Sequence, residues 1–540
     1  MAENKLTLRA GDEVVVRMYG QGFGDCFLLA FPRSDAEGQL DYDNPVYVLI
    51  DCGVFYRTPQ DKERMCKVTG SVRKATGGEI DLLVVTHEHH DHLCGFEYAK
   101  DEWKQIQVHN IWVAWTENVE HPATKRFDHE QETLERLVLE VHQIIARQLD
   151  DNRALDLELE HPLRPELEHL RALLGFSLGE GLEGPLDRLS KLPNLVLSDI
   201  VNNPEKRFRI NPATHTRSYC EPMDVRAVPG TLIDAYVLGS PTDPDRFSLT
   251  MDESEVYPKE LKEDPTPASA ASRERQRERE QIALEAVRAD RLAVSAAVAR
   301  HIGVVNEDEY APFRPSEGID LEEATKDKFF QERYFTSTLA RRIDGEWLRG
   351  TSRFALQLDE FTNNSSLALA FRLPNERYLL FVGDAQVGNW LSWQDFRPTG
   401  WKRTDDQRSA IAARPTIEEL LEKTIVYKVG HHGSHNATLK QNGLEKMPDD
   451  LVAFVPVAHS YPQEDNKWTI PLPSLMRKLR DKTGGQVVVP YNTEYTSAAF
   501  NRRIEHSNED LPAMTRTYDD DSTKSYGGPV PLWKQVRIAT

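Results

Sequence analysis

The chain has 540 residues, 39% of them hydrophobic, enough to bury a core without disulfide staples. Its five cysteines (Cys26, Cys52, Cys66, Cys94, Cys220) form no Cys-x-x-Cys pair and fit a reducing compartment. A formal net charge of −21 repels polyanions at long range; it argues against a general nucleic-acid coat but leaves room for a nuclease with a local cationic centre.

The opening residues hold no apolar run of the signal-peptide kind, and no stretch approaches the ~18 apolar residues of a membrane span. A cytoplasmic protein with no membrane partner is therefore expected. Residues 12–31 alternate as strands do: Val14–Val16 and Met18, then Gln21-Gly-Phe-Gly-Asp25, then Cys26–Phe31, a hairpin with a glycine-rich turn. Val46–Ile50 is an apolar strand ending at Asp51-Cys52-Gly53, and Asp81–Thr86 is another, ending in a histidine cluster. From Asp128, an expected N-cap, Leu134, Leu137, Val138, Val141, Ile145 and Leu149 share one helical face. A second polar region, 245–350, contains a Pro/Ala/Ser linker at 265–272. An Arg/Glu run follows, read as a solvated helix face, and then a helix carrying Ile282, Leu284, Val287, Leu292 and Val298. Strands return as a hairpin, Leu367–Phe371 with Tyr378–Val382, and then as Thr424–Val429, Leu451–Val457 and Gln486–Val489. Helices are expected at Ile417–Glu422 and Pro473–Arg480. The pattern describes one α/β core (1–100, 225–245 and 355–540) with helical insertions at 101–224 and 246–354 that shape access or dock a protein partner.

The chemistry concentrates in Thr86-His-Glu-His-His-Asp-His92, at the C-terminal end of a buried strand. Packing gains nothing from crowded imidazoles and a carboxylate, and their mutual desolvation is costly unless a cation neutralises them. Imidazole with carboxylate suits zinc, and less exclusively manganese or iron. The spacing splits into two pairs, His87 with His89 for one metal and Asp91 with His92 for a second. Such ions sit roughly 3.5–4 Å apart and share a carboxylate. Asp384, ending the strand Tyr378–Gly383, is the candidate. Lys428-Val-Gly-His-His-Gly-Ser-His435 adds a further ligand histidine, left open by spacing between His431 and His432 with His432 preferred, and phosphate donors in His431, Ser434 and His435.

These segments resemble the metallo-β-lactamase superfamily. More narrowly they resemble the hydrolase domain of the DNA-uptake channel protein ComEC and its free-standing relatives. The resemblance rests on Gly20-Gln-Gly-Phe-Gly-Asp25, Asp51-Cys-Gly53, the histidine cluster up to Cys94-Gly95, Asn363-Asn-Ser-Ser366, Gly383-Asp384 and residues 429–434. It implies a four-layer αββα fold and a hydrolase with two divalent metal ions, zinc foremost and manganese next. Its substrate would be a phosphodiester (nucleic acid or nucleotide), attacked by a hydroxide that the ions share. Asp91 would hold one metal and orient the nucleophile. His431, Ser434 or His435 would bind a phosphate oxygen or protonate the leaving group. Asp51 either fixes a ligand histidine by accepting its other N–H or simply ends a strand. His89 is present where the ComEC-like pattern often lacks it. The histidine that many relatives place after a strand like Ala235–Gly239 is replaced by Ser240-Pro241, leaving either His215 or His109 as a substitute or a first metal completed by water or substrate. The rival readings are carbonyl hydrolysis of a lactone, thioester or β-lactam, and a non-catalytic sensor or docking unit.

Overall fold

The computed structural model describes residues 5–55, 58–124, 192–258, 326, 328, 359–405, 411–457, 470–491, 494–512, 514–517, 523–526 and 529–539. Asp12–Tyr19 (β1) and Phe27–Ser34 (β2) form the expected antiparallel hairpin. Leu40–Ile50 (β3) pairs antiparallel with β2 and parallel with Glu79–Val84 (β4). A parallel neighbour requires a crossover, and the helix Pro59–Thr76 (α1) supplies it. Local sequence sets both ends of α1: Thr58 and Asp61 make a reciprocal capping box, Pro59 opens the first turn, and Gly77 closes the helix in the left-handed conformation. Met65, Val68, Val72 and Ala75 recur at helical spacing and are buried against the sheet.

Gln107–Ala114 (β5) and Thr216–Cys220 (β6) continue this sheet in parallel. They lie inside 101–224, the segment read from sequence as a helical insertion. Polar Asn110, His109 and Thr216 dilute the apolar pattern that would have marked the strands, so the sheet extends beyond residue 100. The helix expected at 128–149, the linker at 265–272, the Arg/Glu run and the helix after it lie outside the described residues.

Asp224–Ala227 (β7), Asp234–Val237 (β8), Leu369–Arg372 (β9), Tyr378–Phe381 (β10), Lys402–Arg403 (β11), Thr424–Lys428 (β12), Val452–Phe454 (β13) and Val487–Val488 (β14) form a second eight-stranded sheet, in the order β11-β7-β8-β9-β10-β12-β13-β14. Glu505–His506 (β15) joins the first sheet at its edge. Two minor pairs follow, Asp510–Leu511 (β16) with Val530–Pro531 (β19), and Met514–Thr517 (β17) with Thr523–Tyr526 (β18). Trp533–Ala539 (β20) lies between β15 and β1, completing the order β15-β20-β1-β2-β3-β4-β5-β6.

The sheets pack face to face. Phe27 meets Phe381 and Phe454 edge-on at 5.6 and 6.1 Å between ring centroids, within a layer that includes Val16, Leu29, Phe31, Phe371 and Val426. The outer face of the first sheet is covered by α1, by His90–Tyr98 (α2) and by residues near 200; the outer face of the second is covered by Trp390, Trp393 and the helix Pro473–Thr483. This is the four-layer αββα arrangement, a metallo-β-lactamase fold. No described helix is long and apolar enough to cross a membrane.

Candidate metal centre

Four strand ends converge. β3 runs into Asp51, β4 into Thr86 and the histidine cluster, β10 into Asp384, and β12 into the turn at 430–434. The chain bends sharply at each. Asp51, His431 and His432 adopt φ of 54°, 42° and 53°, left-handed values uncommon for residues with a Cβ. Gly53 is required for a different reason: a Cβ there would lie 2.3 Å from the carbonyl carbon of Asp91. The backbones of the two loops are thus in direct contact, and Asp91 sits where α2 begins.

Hydrogen bonds fix which ring nitrogens keep a lone pair. Asp51 accepts from the Thr86 backbone N–H at 2.8 Å, from the Thr86 hydroxyl at 2.6 Å and from His92 Nδ1 at 2.7 Å. With its proton given to Asp51, the Thr86 oxygen accepts from His87 Nδ1, 3.0 Å away. His432 Nδ1 faces the Pro456 carbonyl at 3.1 Å, which can only accept. Nε2 of His87, His92 and His432 is therefore the free face of each neutral ring. These faces meet other acceptors. His87 Nε2 lies 3.0 Å from His89 Nδ1. His92 Nε2 is 3.2 Å from Asp384 Oδ2, and His432 Nε2 is 3.0 Å from Asp91 Oδ2 and 3.4 Å from Asp384 Oδ2. Lone pair against lone pair is repulsive unless a proton or a cation lies between.

Without a cation, protons take that place. Burial pushes His432 down, but Asp384 and Asp91 outweigh it and hold it at about 9; His92 is raised in the same way by Asp384, Asp51 and Asp91. Burial opposes ionisation of Asp91, yet His92 and His432 bring it to about 2. Asp384 is held well below the ordinary carboxylate range against the same burial, by His92, Lys428 and His432. Burial keeps His89 and His431 neutral, at about 4, and likewise pushes His87 well below its ordinary range. The donor set fits divalent cations. Asp25, His92, Asp384 and His432 each offer a ligand atom, all within 4.8 Å of one another. Asp91 Oδ1, Asp25 Oδ1 and His92 Nε2 are buried with no hydrogen bond among the described residues.

The structure brings together His87, His89, Asp91, His92, Asp384 and His432, all buried, with Asp51 beneath them. His432, not His431, faces Asp91. His431 turns its Nδ1 to Ser434 Oγ at 3.1 Å and to Gln386 Nε2 at 3.3 Å, leaving Nε2 4.0 Å from Asp384 Oδ2. His435 is half-buried, one residue past Ser434. His215 and His109 do not replace the histidine missing at Ser240. His215 sits against the Val108 carbonyl and His109 near Glu79, at the starts of β4 and β5, whereas the centre is at the strands' other ends.

Two residues escaped the sequence reading. Lys428 Nζ is buried 2.5 Å from Asp25 Oδ2, 3.2 Å from Asp384 Oδ1 and 2.7 Å from the Gly383 carbonyl. Despite burial, Asp25 and Asp384 hold its charge firmly. The signal was present: a lysine ending the apolar strand Thr424–Lys428, and an Asp closing the glycine-rich turn.

Comparison with curated proteins and with solved structures found no match. A family model does match, covering the second half of β3, α1, β4, Asp51 and the whole histidine cluster, and it suggests a metal-dependent hydrolase. The match, to the metallo-beta-lactamase superfamily, spans residues 46–173.

Proposed function

We propose that the protein hydrolyses phosphodiesters with two divalent cations, as a nuclease or a nucleotide phosphodiesterase. The observation carrying this reading is the convergence of buried imidazole and carboxylate lone pairs from strand ends of both sheets, rimmed by hydrogen-bond donors. His87 Nε2 and His89 Nδ1 would hold one ion. Asp91, His92 Nε2 and His432 Nε2 would hold the other, and Asp384 would lie between, in a set that suits zinc and also manganese. Such ions supply positive charge for phosphoryl oxygens and a water that ionises near neutral pH.

The chain's own residues orient and donate. Asp51 and Thr86 lock the His92 and His87 rings, so their Nε2 lone pairs face inward. Gln386 and Ser434 both face His431 Nδ1; in the tautomer that accepts there from Gln386, the His431 proton would lie on Nε2, aimed at the cluster. With His435, and with the Ser434 hydroxyl once turned from Asn436 Oδ1, this donor would suit the several oxygens of a phosphate better than the single oxygen of a carbonyl. Lys428 offsets part of the carboxylate charge and so limits repulsion of an anionic substrate.

The test is purified protein with Mn²⁺ or Zn²⁺, offered bis-p-nitrophenyl phosphate beside nitrocefin and a thioester. Turnover of the phosphodiester is expected. Turnover of nitrocefin or the thioester alone would assign carbonyl chemistry, and no turnover with ions bound would assign a sensor or docking role.

A further inference from the structure

The ring of His89 has two ends, and the structure occupies both. Nδ1 faces His87 Nε2 at 3.0 Å, while Nε2 faces Asp359 Oδ1 at 3.6 Å. Asp359 lies on the helical segment 359–364 that leads into β9, and it is 5% exposed. Its other oxygen accepts from Asn363 Nδ2 at 3.2 Å, one helical turn on, which fixes the carboxylate plane. Oδ1 has no hydrogen bond among the described residues. A buried carboxylate oxygen without a donor is costly, and the group it points toward is an imidazole nitrogen just beyond hydrogen-bond distance.

The arrangement parallels, at longer range and with the Asn363 side chain also beside the ring, that of His92, whose Nδ1 is held by Asp51 at 2.7 Å while Nε2 faces the cluster. Metal-ligating histidines ordinarily donate their other N–H to a carboxylate or carbonyl, which fixes tautomer and ring orientation and raises basicity. We propose that Asp359 is the positioning residue of His89: it accepts the Nε2 proton and so presents the Nδ1 lone pair to the ion shared with His87. This rests on the metal-centre reading above. It gives the first ion the same carboxylate-backed histidine that Asp51 gives the second. That support matters most where Ser240 stands and one histidine ligand is lacking.

The probe is Zn²⁺ alone, titrated against a chromophoric chelator into wild type and Asp359→Asn. Wild type is expected to take two ions. Asp359→Asn should also reach two, with unchanged circular dichroism, but with one affinity lowered roughly 10–100-fold. Long-range ¹H–¹⁵N spectra of the Zn²⁺-loaded protein supply a readout that general loosening would not move. His89 should be protonated on Nε2, with that proton far downfield in wild type and shifted upfield in Asp359→Asn. Unchanged affinities in the variant would overturn the proposal. So would His89 metallated on Nε2, or a loss of one ion from Asp359→Asn even at saturating Zn²⁺, which would make Asp359 a direct ligand. Failure of wild type to bind any ion would instead overturn the metal-centre reading itself.

Discussion

Asp384 is the residue whose role is most sharply divided between two explanations. As an Asp ending a strand, it could be replaced by Asn at little cost. Its surroundings argue otherwise: Oδ2 lies within 3.2 to 3.4 Å of two imidazole nitrogens, and Oδ1 faces Lys428. Asp384→Asn is expected to leave the fold intact, release one or both ions and lower hydrolysis by several powers of ten, as when metal electrostatics carry a reaction. Near-normal turnover with both ions bound would sink the shared-carboxylate assignment. Sequence revealed this residue because a strand end carried it beside an already crowded motif. Asp25 was hidden for the opposite reason. A glycine-rich turn accounts for an Asp without any further role, and only the folded chain brings it against Lys428, His92 and His432. Asp359 carries no motif at all; its meaning lies wholly in the direction of one oxygen.

At the scale of elements, the strands that end in candidate ligands were legible because their apolar runs are unbroken and each stops at a polar cluster. β5 and β6 were not, since half-buried polar residues interrupt them, and α1 is amphipathic enough to form yet too polar on its outer face to stand out. What sequence pattern cannot convey is loop-on-loop contact. The Asp51–Gly53 turn presses against the start of α2: Cys52 donates to the His92 carbonyl at 2.8 Å, and Gly53 donates to Asp25 at 3.0 Å. A methyl group at Gly53 would have to displace the Asp91 backbone, since its Cβ would lie 2.3 Å from that carbonyl carbon. Gly53→Ala is thus expected to destabilise the protein by about 1–3 kcal/mol, the usual cost of overpacking, and to weaken metal binding through the shifted Asp91. Denaturant titration with and without Zn²⁺ checks both; an unchanged midpoint and unchanged affinity would show that the loops have room to part.

For the whole molecule, the centre is a seam between the two sheets, so its protonation and loading bear on global stability. In metal-free protein His432 titrates at about 9, above its ordinary 6.5. A raised histidine stabilises fully below 6.5, and that contribution is lost as pH climbs through about 9. His92 shifts the same way. Asp384 and Asp91, both depressed, act at the other limb: their contribution is present above the ordinary carboxylate range and is lost in strong acid. Under chelator, the melting temperature is therefore expected to fall between pH 7 and 10, with Zn²⁺ flattening that fall because it replaces the protons. A metal-free melting curve that is level or rising over this interval would contradict the ring-to-carboxylate geometry. The same seam also sets a timetable. Asp91 and His432 stand 341 residues apart in the chain. At roughly 5–20 residues per second of synthesis, the histidine cluster leaves the ribosome tens of seconds before its partner. Throughout that interval the first sheet also lacks β20, the neighbour of β1. An ion captured early would find His87, His89, Asp91 and His92, with neither Asp384 nor His432 yet made. For the proposed centre, lasting metal acquisition would thus wait until the second sheet has closed over the first.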